Sequence, residues 1–376
     1  MKKSLHLVAG ARPNFMKIAP IVRALEARPG LFDYRIVHTG QHYDREMSDV
    51  FFEELGIPKP DFHLEAGGGS HAEQTAKIMV AYEAICQRER PDCVVVVGDV
   101  NSTLACSIVA KKLHVPVAHV EAGLRSGDLR MPEEINRLVT DSISDWFFVT
   151  EPAGQENLLR EGKPQERVFF VGHVMVDNLF YQRDRLRQAD RSSFESEALK
   201  KRLGRYGVVT MHRPSNVDDE DTLGGIAAAF RRISERLPLV FPVHPRTRSN
   251  LEKFRIDLGA NVLLTKPLSY MEFLNLWQDA SLILTDSGGL QEETTALGIP
   301  CVTLRENTER PVTVDEGTNT IVGVDPERIV AAAEAVLAGQ GKAGRRPQFW
   351  DGKAAERIVE TLAEVRGVIR ESRSTG

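Results

Sequence analysis

Side chains that can bind an anion or transfer a proton follow most of the short apolar runs in this sequence of 376 residues. If each run is a strand of a parallel sheet, these side chains lie beyond the carboxyl ends of the strands, where open parallel sheets bind their ligands. The sequence therefore predicts a ligand site built from the loops that follow strands. The candidate residues are Arg12 and Lys17, Gln41 and His42, Asp99 and Asn101, His119 and Glu121, His212 and Arg213, His244 and Arg246, and the run from Asp286 to Gly289.

The segment from Leu282 to Gly289 has the strongest local pattern: an apolar run, then Asp, Ser and two glycines, then a helical run. Such a strand, tight turn and helix start point free backbone N–H groups at one place, which suits a phosphate. Ser287, Gly288 and Gly289 are the predicted phosphate-binding residues, and a plain serine N-cap is the alternative. Glu293 is placed to accept hydrogen bonds from ribose hydroxyls, unless it only faces solvent.

Several basic side chains belong to the same predicted edge. A diphosphate held in a cleft between two domains would be bound by cations from both sides. A single loop arginine is usually solvated, so it is the convergence of these residues that favours a diphosphate site. The cationic candidates are Arg12, Lys17, Arg213 and Arg310, with His212 and His244 as further donors.

Carboxylates also follow the apolar runs. Asp99 comes after four valines, Glu121 after the run that contains His119, and Glu133 stands at a helix start. Carboxylates in a cleft are costly unless they are paired, so they are partners of the arginines or acid/base catalysts. Glu133 has a further explanation, since an acid near a helix N-terminus complements the helix dipole. No third metal ligand stands at a diagnostic spacing from His119 and Glu121, and no metal site is predicted.

The apolar runs alternate with helical segments, which predicts an α/β fold with doubly wound parallel sheets. Two series of runs predict two Rossmann-like domains that face each other across a cleft. The first series is Leu5–Ala9, Arg35–Thr39, Cys93–Val97, Val117–Val120, Phe147–Val149 and Val168–Val171, and the second is Val208–Thr210, Val240–Val243, Val262–Leu264, Leu282–Thr285 and Val302–Leu304.

A highly charged stretch from Gln182 to Arg205 separates the two series and is typical of a surface helix and linker. The predicted N-terminal domain is residues 1–172, and the predicted C-terminal domain is residues 173–352. A last helix, about residues 353–376, is expected to pack back on the first domain.

Composition excludes several classes of protein. The net charge of −5 gives no general attraction to nucleic acid. No apolar run reaches the ~18–20 residues of a membrane span, and the N-terminus is not typical of a signal peptide, so a cytoplasmic protein is expected. The four cysteines lack Cys-x-x-Cys spacing, which predicts reduced, buried thiols; they are Cys86, Cys93, Cys106 and Cys301.

From about residue 5 to about residue 325, the motifs together resemble the non-hydrolysing UDP-N-acetylglucosamine 2-epimerases. The HVEAGLRS and LTDSGG segments are the most specific. The full set is Gly10–Pro13 with Lys17 and Pro20, Gly98–Asp99 with Ser102–Thr103, His119–Ser126, Pro132–Arg137, Leu284–Gly289 with Gln291–Glu293, and Thr308–Pro311.

This resemblance implies the GT-B type of two-domain fold, a homodimer, no cofactor, and interconversion of UDP-GlcNAc with UDP-ManNAc, a step of polysaccharide biosynthesis. It implies acid/base roles for Asp99, Glu121 and Glu133, with Arg137 nearby on the same helix. The nucleotide positions that it implies are Ser287, Gly288, Arg12 and His212 for the diphosphate, Glu293 for the ribose and Arg310 for the cleft wall.

The implied reaction departs from simple proton abstraction, because the sugar C2 proton is not next to a carbonyl group. UDP must leave C1 while a carboxylate takes the C2 proton, which gives a 2-acetamidoglucal to which UDP adds again. Three alternatives stay open: a 2-epimerase of UDP-2,3-diacetamido-2,3-dideoxy-glucuronic acid, a UDP-sugar glycosyltransferase, and a non-catalytic UDP-sugar sensor.

Overall fold

The computed structural model describes residues 2–40 and 51–365. The chain divides into two compact units: unit 1 runs to Phe180 and resumes at Gln348, and unit 2 is Tyr181–Pro347. Gln41, His42 and the end of the predicted last helix lie outside the described residues.

Unit 1 contains a seven-stranded sheet in the order β3-β2-β1-β4-β5-β6-β7, and every pairing is parallel. Its strands are β1 Lys3–Ala9, β2 Phe32–His38, β3 Phe62–His63, β4 Cys93–Val97, β5 Val117–Val120, β6 Trp146–Val149 and β7 Val168–Phe170. Its α-helices are α1 Arg12–Glu26, α2 His71–Arg88, α3 Asn101–Lys112, α4 Pro132–Ile143, α5 Pro152–Arg160 and, after unit 2, α15 Ala354–Glu364; residues 51–55 are also helical, and α6 Val174–Gln188 runs across the unit boundary.

Unit 2 contains a six-stranded parallel sheet in the order β10-β9-β8-β11-β12-β13. Its strands are β8 Gly207–Thr210, β9 Leu239–Pro242, β10 Val262–Thr265, β11 Leu282–Thr285, β12 Cys301–Thr303 and β13 Asn319–Ile321. Its helices are α7 Glu195–Leu203, α8 Pro214–Val217, α9 Glu220–Ser234, α10 Pro245–Lys253, α11 Tyr270–Trp277, α12 Gly288–Leu297, α13 Pro311–Asp315 and α14 Pro326–Leu337.

The predicted fold class is confirmed, since both units are parallel α/β sheets. The sequence did not predict two of the strands, β3 and β13. β3 has two residues, one of them His, and β13 has three, two of them Asn and Thr, so neither forms an apolar run. The strand order reverses between β1 and β4 in unit 1 and between β8 and β11 in unit 2. Ligand sites in such sheets lie at these reversals, beyond the carboxyl ends of the strands.

Both faces of the unit 1 sheet are covered, as parallel sheets require. Ile18 and Val22 of α1 pack on one face together with Ile358 of α15. Tyr82 of α2 and Cys106 of α3 pack on the other face. All four cysteines are buried free thiols, which confirms the prediction from their spacing. In the described part of the chain, no helix combines the length and the apolar character that crossing a membrane requires.

The segment that returns to unit 1 is anchored at two points. Trp350 is fully buried and its indole N–H donates to the Thr150 carbonyl oxygen over 3.1 Å. The backbone N–H groups of Ala354 and Ala355 donate to the Asp177 carboxylate over 3.2 and 2.7 Å. Asp177 therefore caps the N-terminus of α15, and burial raises its pKa to about 6 although these hydrogen bonds oppose the change.

Asp177 generates a prediction about stability and pH. Its pKa is higher in the folded chain than its ordinary value of 3.8, so the folded state binds the proton more tightly. The free energy of unfolding should therefore fall as pH rises from about 4 to about 6, by up to about 3 kcal/mol from this group. Asp177→Asn should lack this part of the pH dependence, as measured by urea unfolding across that range. A variant whose profile stays parallel to that of the wild type would contradict the prediction.

Candidate active site

The loops after β4 and β5 place two of the predicted carboxylates on adjacent strands. The Gly98 N–H donates to the Val120 carbonyl oxygen over 3.0 Å, so the parallel ladder extends to the residues directly before Asp99 and Glu121. Gly98 has a φ of +68°, and a Cβ there would lie 2.9 Å from Lys17 Nζ. Glycine is therefore favoured at position 98, where the backbone is left-handed and a side chain would crowd the Lys17 ammonium group.

Glu121 is a buried carboxylate in a strained backbone conformation. Its φ is +67°, a left-handed value that is uncommon outside glycine and that persists mainly where function requires it. Lys17 Nζ of α1 donates to Glu121 Oε2 over 2.5 Å, and His173 Nδ1 lies 3.9 Å from Oε1. An ammonium group thus balances the buried negative charge.

Asp99 is held by Arg137 of α4. The Arg137 Nη1 donates to Asp99 Oδ2 over 2.5 Å, while its Nε and Nη2 donate to Glu134 Oε2 over 2.9 and 2.7 Å. Glu134 also accepts from the backbone N–H groups of Ser126 and Gly127. Burial acts to raise the pKa of Glu134, but the hydrogen bonds from Ser126, Arg137 and Gly127 and the Arg137 charge hold it below its ordinary value.

Glu133 differs from its neighbour. It is half-buried, and its carboxylate forms neither a hydrogen bond nor an ion pair with another residue in the described ranges. Of the two acids at this helix start, Glu134 anchors the arginine, whereas Glu133 is the one available for proton transfer.

His119 and Asp141 form a buried pair behind these loops. His119 Nδ1 lies 2.7 Å from Asp141 Oδ1, and Nε2 lies 2.8 Å from the Gly98 carbonyl oxygen. Asp141 also accepts from the Gly123 N–H over 3.0 Å and lies 2.8 Å from Arg125 Nη2. Burial acts to raise the pKa of Asp141, but the charges and hydrogen bonds of His119 and Arg125 hold it below its ordinary value.

In unit 2, Asp286 organises the reversal between β8 and β11. It is fully buried and accepts from the backbone N–H groups of His212 and Arg213 over 2.9 and 2.8 Å. His212 Nδ1 lies 3.0 Å from Asp286 Oδ1, and its ring is 54% exposed. The hydrogen bond and charge of Asp286 raise the His212 pKa, although burial and Arg213 oppose this. His212 is thus a partly exposed imidazole whose pKa lies above its ordinary value.

The start of α12 offers unoccupied space beside free donors. The first N–H groups of a helix have no partner within the helix. Gly288 and Gly289 have helical backbones without a positive φ, and a Cβ on either would meet no atom within 4 Å. Neither the backbone nor the surrounding protein requires glycine here, and both residues leave room for close approach to the helix start. Ser287 is the N-cap, without a side-chain capping bond.

Two further predicted residues of unit 2 have carboxylate or hydroxyl partners. The Tyr270 hydroxyl donates to Glu293 Oε1 over 3.1 Å, and burial together with Glu293 raises the Tyr270 pKa far above its ordinary value. Arg310 Nε is hydrogen-bonded to Glu292 Oε1. Glu292 and Glu293 are therefore adjacent on α12 but have different partners.

The structure does not bring two predicted residues into these networks. Arg12 is exposed, and its guanidinium carbon lies 4.6 Å from the centre of the Phe51 ring. His244 is exposed, and its Nδ1 accepts from the Arg246 N–H over 3.3 Å at the start of α10. Within the described part of the chain, Arg12 is not hydrogen-bonded to another predicted site residue, and the only predicted site residue to which His244 is hydrogen-bonded is its neighbour Arg246.

Comparison with known proteins identifies the family. A family model described as UDP-N-acetylglucosamine 2-epimerase matches residues 23–363. The UDP-N-acetylglucosamine 2-epimerase of Methanocaldococcus jannaschii is 42% identical over 95% of this chain and 98% of that protein. This chain belongs to the UDP-N-acetylglucosamine 2-epimerase family.

Two more members of the family add to this comparison. The crystal structure of the M. jannaschii UDP-GlcNAc 2-epimerase in complex with UDP-GlcNAc and UDP superimposes with a TM-score of 0.84 at 41% identity, covering 96% of this chain and 99% of that one. The UDP-2,3-diacetamido-2,3-dideoxy-D-glucuronate 2-epimerase of Pseudomonas aeruginosa is 40% identical over 95% of this chain and 99% of that protein.

Sequence reasoning about this family member missed the partners of its predicted residues. Glu134 and Arg137 have the i,i+3 spacing of a helical ion pair, so this contact was predictable. The pairing of Glu292 with Arg310 joins distant segments and has no local signal. In the described ranges, no three His, Cys, Asp or Glu side chains are grouped as metal ligands.

The Asp286 network generates a prediction for His212. Asp286→Asn removes the negative charge that raises the His212 pKa, so this pKa should fall. An NMR titration of the histidine Cε1 protons measures it, and loss of the signal in His212→Asn assigns the resonance. An unchanged His212 pKa in Asp286→Asn would show that Asp286 does not raise it.

Proposed function

We propose that this protein interconverts UDP-GlcNAc and UDP-ManNAc by elimination of UDP and its re-addition. The observation that carries the proposal is the combination of three carboxylates at the β4–β5 edge with an open helix start in unit 2. Two of these carboxylates are paired with cations, Glu121 with the partly buried Lys17 and Asp99 with the buried Arg137. The relatives that match over nearly the whole chain support the choice of substrate.

The residues of unit 2 bind the UDP group and stabilise it as it leaves. The backbone N–H groups of Gly288 and Gly289 and the Ser287 hydroxyl donate to the diphosphate, since the Ser287 N–H already donates to the Thr285 hydroxyl oxygen over 2.9 Å. His212 adds a donor whose raised pKa favours the protonated form. Glu293, oriented by Tyr270, accepts from the ribose hydroxyls. Further cationic contacts come from Arg12, Arg213 and Arg310, with His244 as an additional donor.

The carboxylates of unit 1 move the proton at C2. As the C1–O bond breaks, a carboxylate takes the C2 proton, and the two electrons of the C2–H bond form the C1=C2 double bond of 2-acetamidoglucal. Protonation of C2 from the opposite face and return of the UDP oxygen to C1 give the epimer. Asp99, Glu121 and Glu133 supply the acid and base groups, while Lys17 and Arg137 keep their positions and charges fixed.

A second candidate substrate is UDP-2,3-diacetamido-2,3-dideoxy-glucuronic acid. The specific observation in its favour is the Pseudomonas aeruginosa relative, whose identity of 40% is close to the 42% of the M. jannaschii relative. The elimination chemistry at C1 and C2 is the same for both sugars.

The protein is also proposed to be a homodimer. Three apolar side chains on α2 and α4 of unit 1 are exposed: Val80 by 73%, Ile135 by 42% and Val139 by 36%. Burial of such residues against a second copy would remove apolar surface from water, and sedimentation velocity tests this. A cytoplasmic location and a place in polysaccharide biosynthesis belong to the same proposal.

Incubation with UDP-GlcNAc in D₂O, without added metal or NAD, tests the function. NMR should show UDP-ManNAc with deuterium at C2. Asp99→Asn, Glu121→Gln and Glu133→Gln should each lower kcat by about 10²-fold or more, because each removes a proton-transfer group. Glu334→Gln on the exposed side of α14 is the matched control and should retain full activity.

The outcomes of this experiment separate the candidates. Absence of both product and exchange with UDP-GlcNAc, but turnover of the diacetamido sugar, would replace the first substrate by the second. Binding of UDP-GlcNAc without turnover of either sugar, and without an effect of Glu121→Gln, would indicate a sensor.

Gly288→Ala tests the UDP site. A methyl group there meets no protein atom, so the free energy of unfolding should be unchanged or raised by up to about 1 kcal/mol. The same methyl group should weaken UDP binding by about 10-fold or more, since it occupies space needed by the diphosphate. Gly224→Ala in α9 also meets open space and is the control; isothermal titration calorimetry should show unchanged UDP affinity. Equal affinities for the two variants would place the diphosphate elsewhere.

A further inference from the structure

The buried pair of His119 and Asp141 contacts both loops that carry the predicted acid/base residues. Through Nε2, His119 reaches the carbonyl oxygen of Gly98, the residue directly before Asp99. Through Oδ2, Asp141 accepts from the N–H of Gly123, two residues after Glu121. Both side chains have an exposed fraction of 0%. The pair of His119 and Asp141 is thus hydrogen-bonded to the turn after β4 and to the turn after β5.

The turn after β5 needs external support because Glu121, which is not a glycine, has a left-handed φ of +67°. Gly98 and Gly123 have φ angles of +68° and +78°, which glycine adopts without strain. A Cβ at Gly123 would lie 2.2 Å from the Gly154 carbonyl oxygen, so the turn is also packed closely against α5. A strained turn persists only when its surroundings determine it.

Helix α4 joins the pair to the third carboxylate. Glu133, Arg137 and Asp141 are spaced by four residues and therefore lie along one face of this helix. Arg137 binds Asp99, and Asp141 binds both His119 and Gly123. The position of α4 along its axis, and with it the position of Glu133, is thus set by contacts to the same two loops.

The donor and acceptor roles within the pair follow from geometry. The Gly98 carbonyl oxygen can only accept, so His119 Nε2 carries a proton. Nδ1 forms the second hydrogen bond of the ring, to Asp141 Oδ1. A metal ion would need a ring nitrogen with a free lone pair, and both nitrogens are engaged in hydrogen bonds within the protein.

We propose that His119 and Asp141 are positioning residues that hold Asp99, Glu121 and Glu133 in one register for proton transfer at the sugar. The inference rests on the proposed function, since it assumes that these three carboxylates act on the substrate. Neither residue touches the substrate in this scheme.

Two substitutions separate the contacts of the pair. His119→Asn keeps a short amide that reaches Asp141 but loses the donor to Gly98. Asp141→Asn can keep the hydrogen bonds to His119 and Gly123, because its amide donates to a neutral His119 whose Nε2–H still faces Gly98, while its oxygen accepts from Gly123. It removes the charge that faces Arg125, which keeps its ion pair with Glu161. His114→Asn, on an exposed histidine with a φ of +56°, is the matched control.

The expected result is a split between kcat and binding. His119→Asn should lower kcat and the rate of C2 deuterium exchange by about 10²-fold, because a displacement near 1 Å has such an effect. Its KM and its UDP affinity should stay within about threefold, and the calorimetric stoichiometry for UDP corrects kcat for any unfolded fraction. The kcat of Asp141→Asn should stay within about fivefold of the wild-type value, and the kcat of His114→Asn should equal the wild-type value.

Two outcomes overturn the proposal. The first is a corrected kcat for His119→Asn equal to that of the wild type, which means that the loss of activity only follows the unfolded fraction. The second is a folded Asp141→Asn protein as slow as His119→Asn. If His119→Asn does not fold, His119→Gln, which keeps the reach to Gly98, should retain more than a tenth of the wild-type kcat, and a greater loss contradicts the proposal. A wild-type protein inactive on both sugars would instead refute the proposed function.

Discussion

A carboxylate buried among apolar side chains is stable only when cations or N–H donors face it. In unit 1 this requirement is met by a set of long-range contacts: Lys17 faces Glu121, Arg137 faces both Asp99 and Glu134, and His119 faces Asp141. Lys17 and Arg137 each join a helix to a strand-end loop, and His119 of β5 joins its strand to α4, while the pair of Arg137 and Glu134 lies within α4. The same contacts that stabilise the charges therefore determine where the loops lie, and the arrangement of the whole sheet edge depends on them.

Unit 2 solves a different problem at its own strand reversal. Here the buried acid, Asp286, organises both backbone and a side chain, since it accepts from two consecutive N–H groups and from Asn216 and lies 3.0 Å from His212 Nδ1. Next to it, Gly288 and Gly289 at the start of α12 present backbone N–H groups beside open space. A rigid donor set aimed at a leaving group needs no reorganisation as charge develops, which is the property that an elimination of UDP demands.

The candidate residues of the two units differ in kind. In unit 1 they are acids and bases: Glu121 is buried and paired with Lys17, Asp99 is paired with Arg137 but partly exposed, and Glu133 is half-buried without a partner in the described ranges. In unit 2 they are donors to a charged group that enters and leaves in the proposed reaction, and His212 and the glycines of α12 are partly accessible.

Much of the candidate site was predictable because its residues directly follow apolar runs. Asp99, Glu121, His212 and Ser287 all lie where the strand pattern places them. Glu133 and Glu134 were not separable by that argument, since both stand at one helix start. Only the packing of α4 shows that Glu134 faces Arg137 and the N–H groups of Ser126 and Gly127.

The amino-acid sequence by itself determined the fold class, the two series of strands, the family and the strand-end positions of the site. These properties depend on local periodicity and on motifs that are continuous in the chain. Three features were decided by the tertiary structure alone. They are the left-handed backbone of Glu121, the hydrogen bond between His119 and the Gly98 carbonyl oxygen, and the pairing of Glu292 with Arg310. Such contacts arise between segments far apart in the chain, where side-chain type shows that a partner is needed but not which residue provides it.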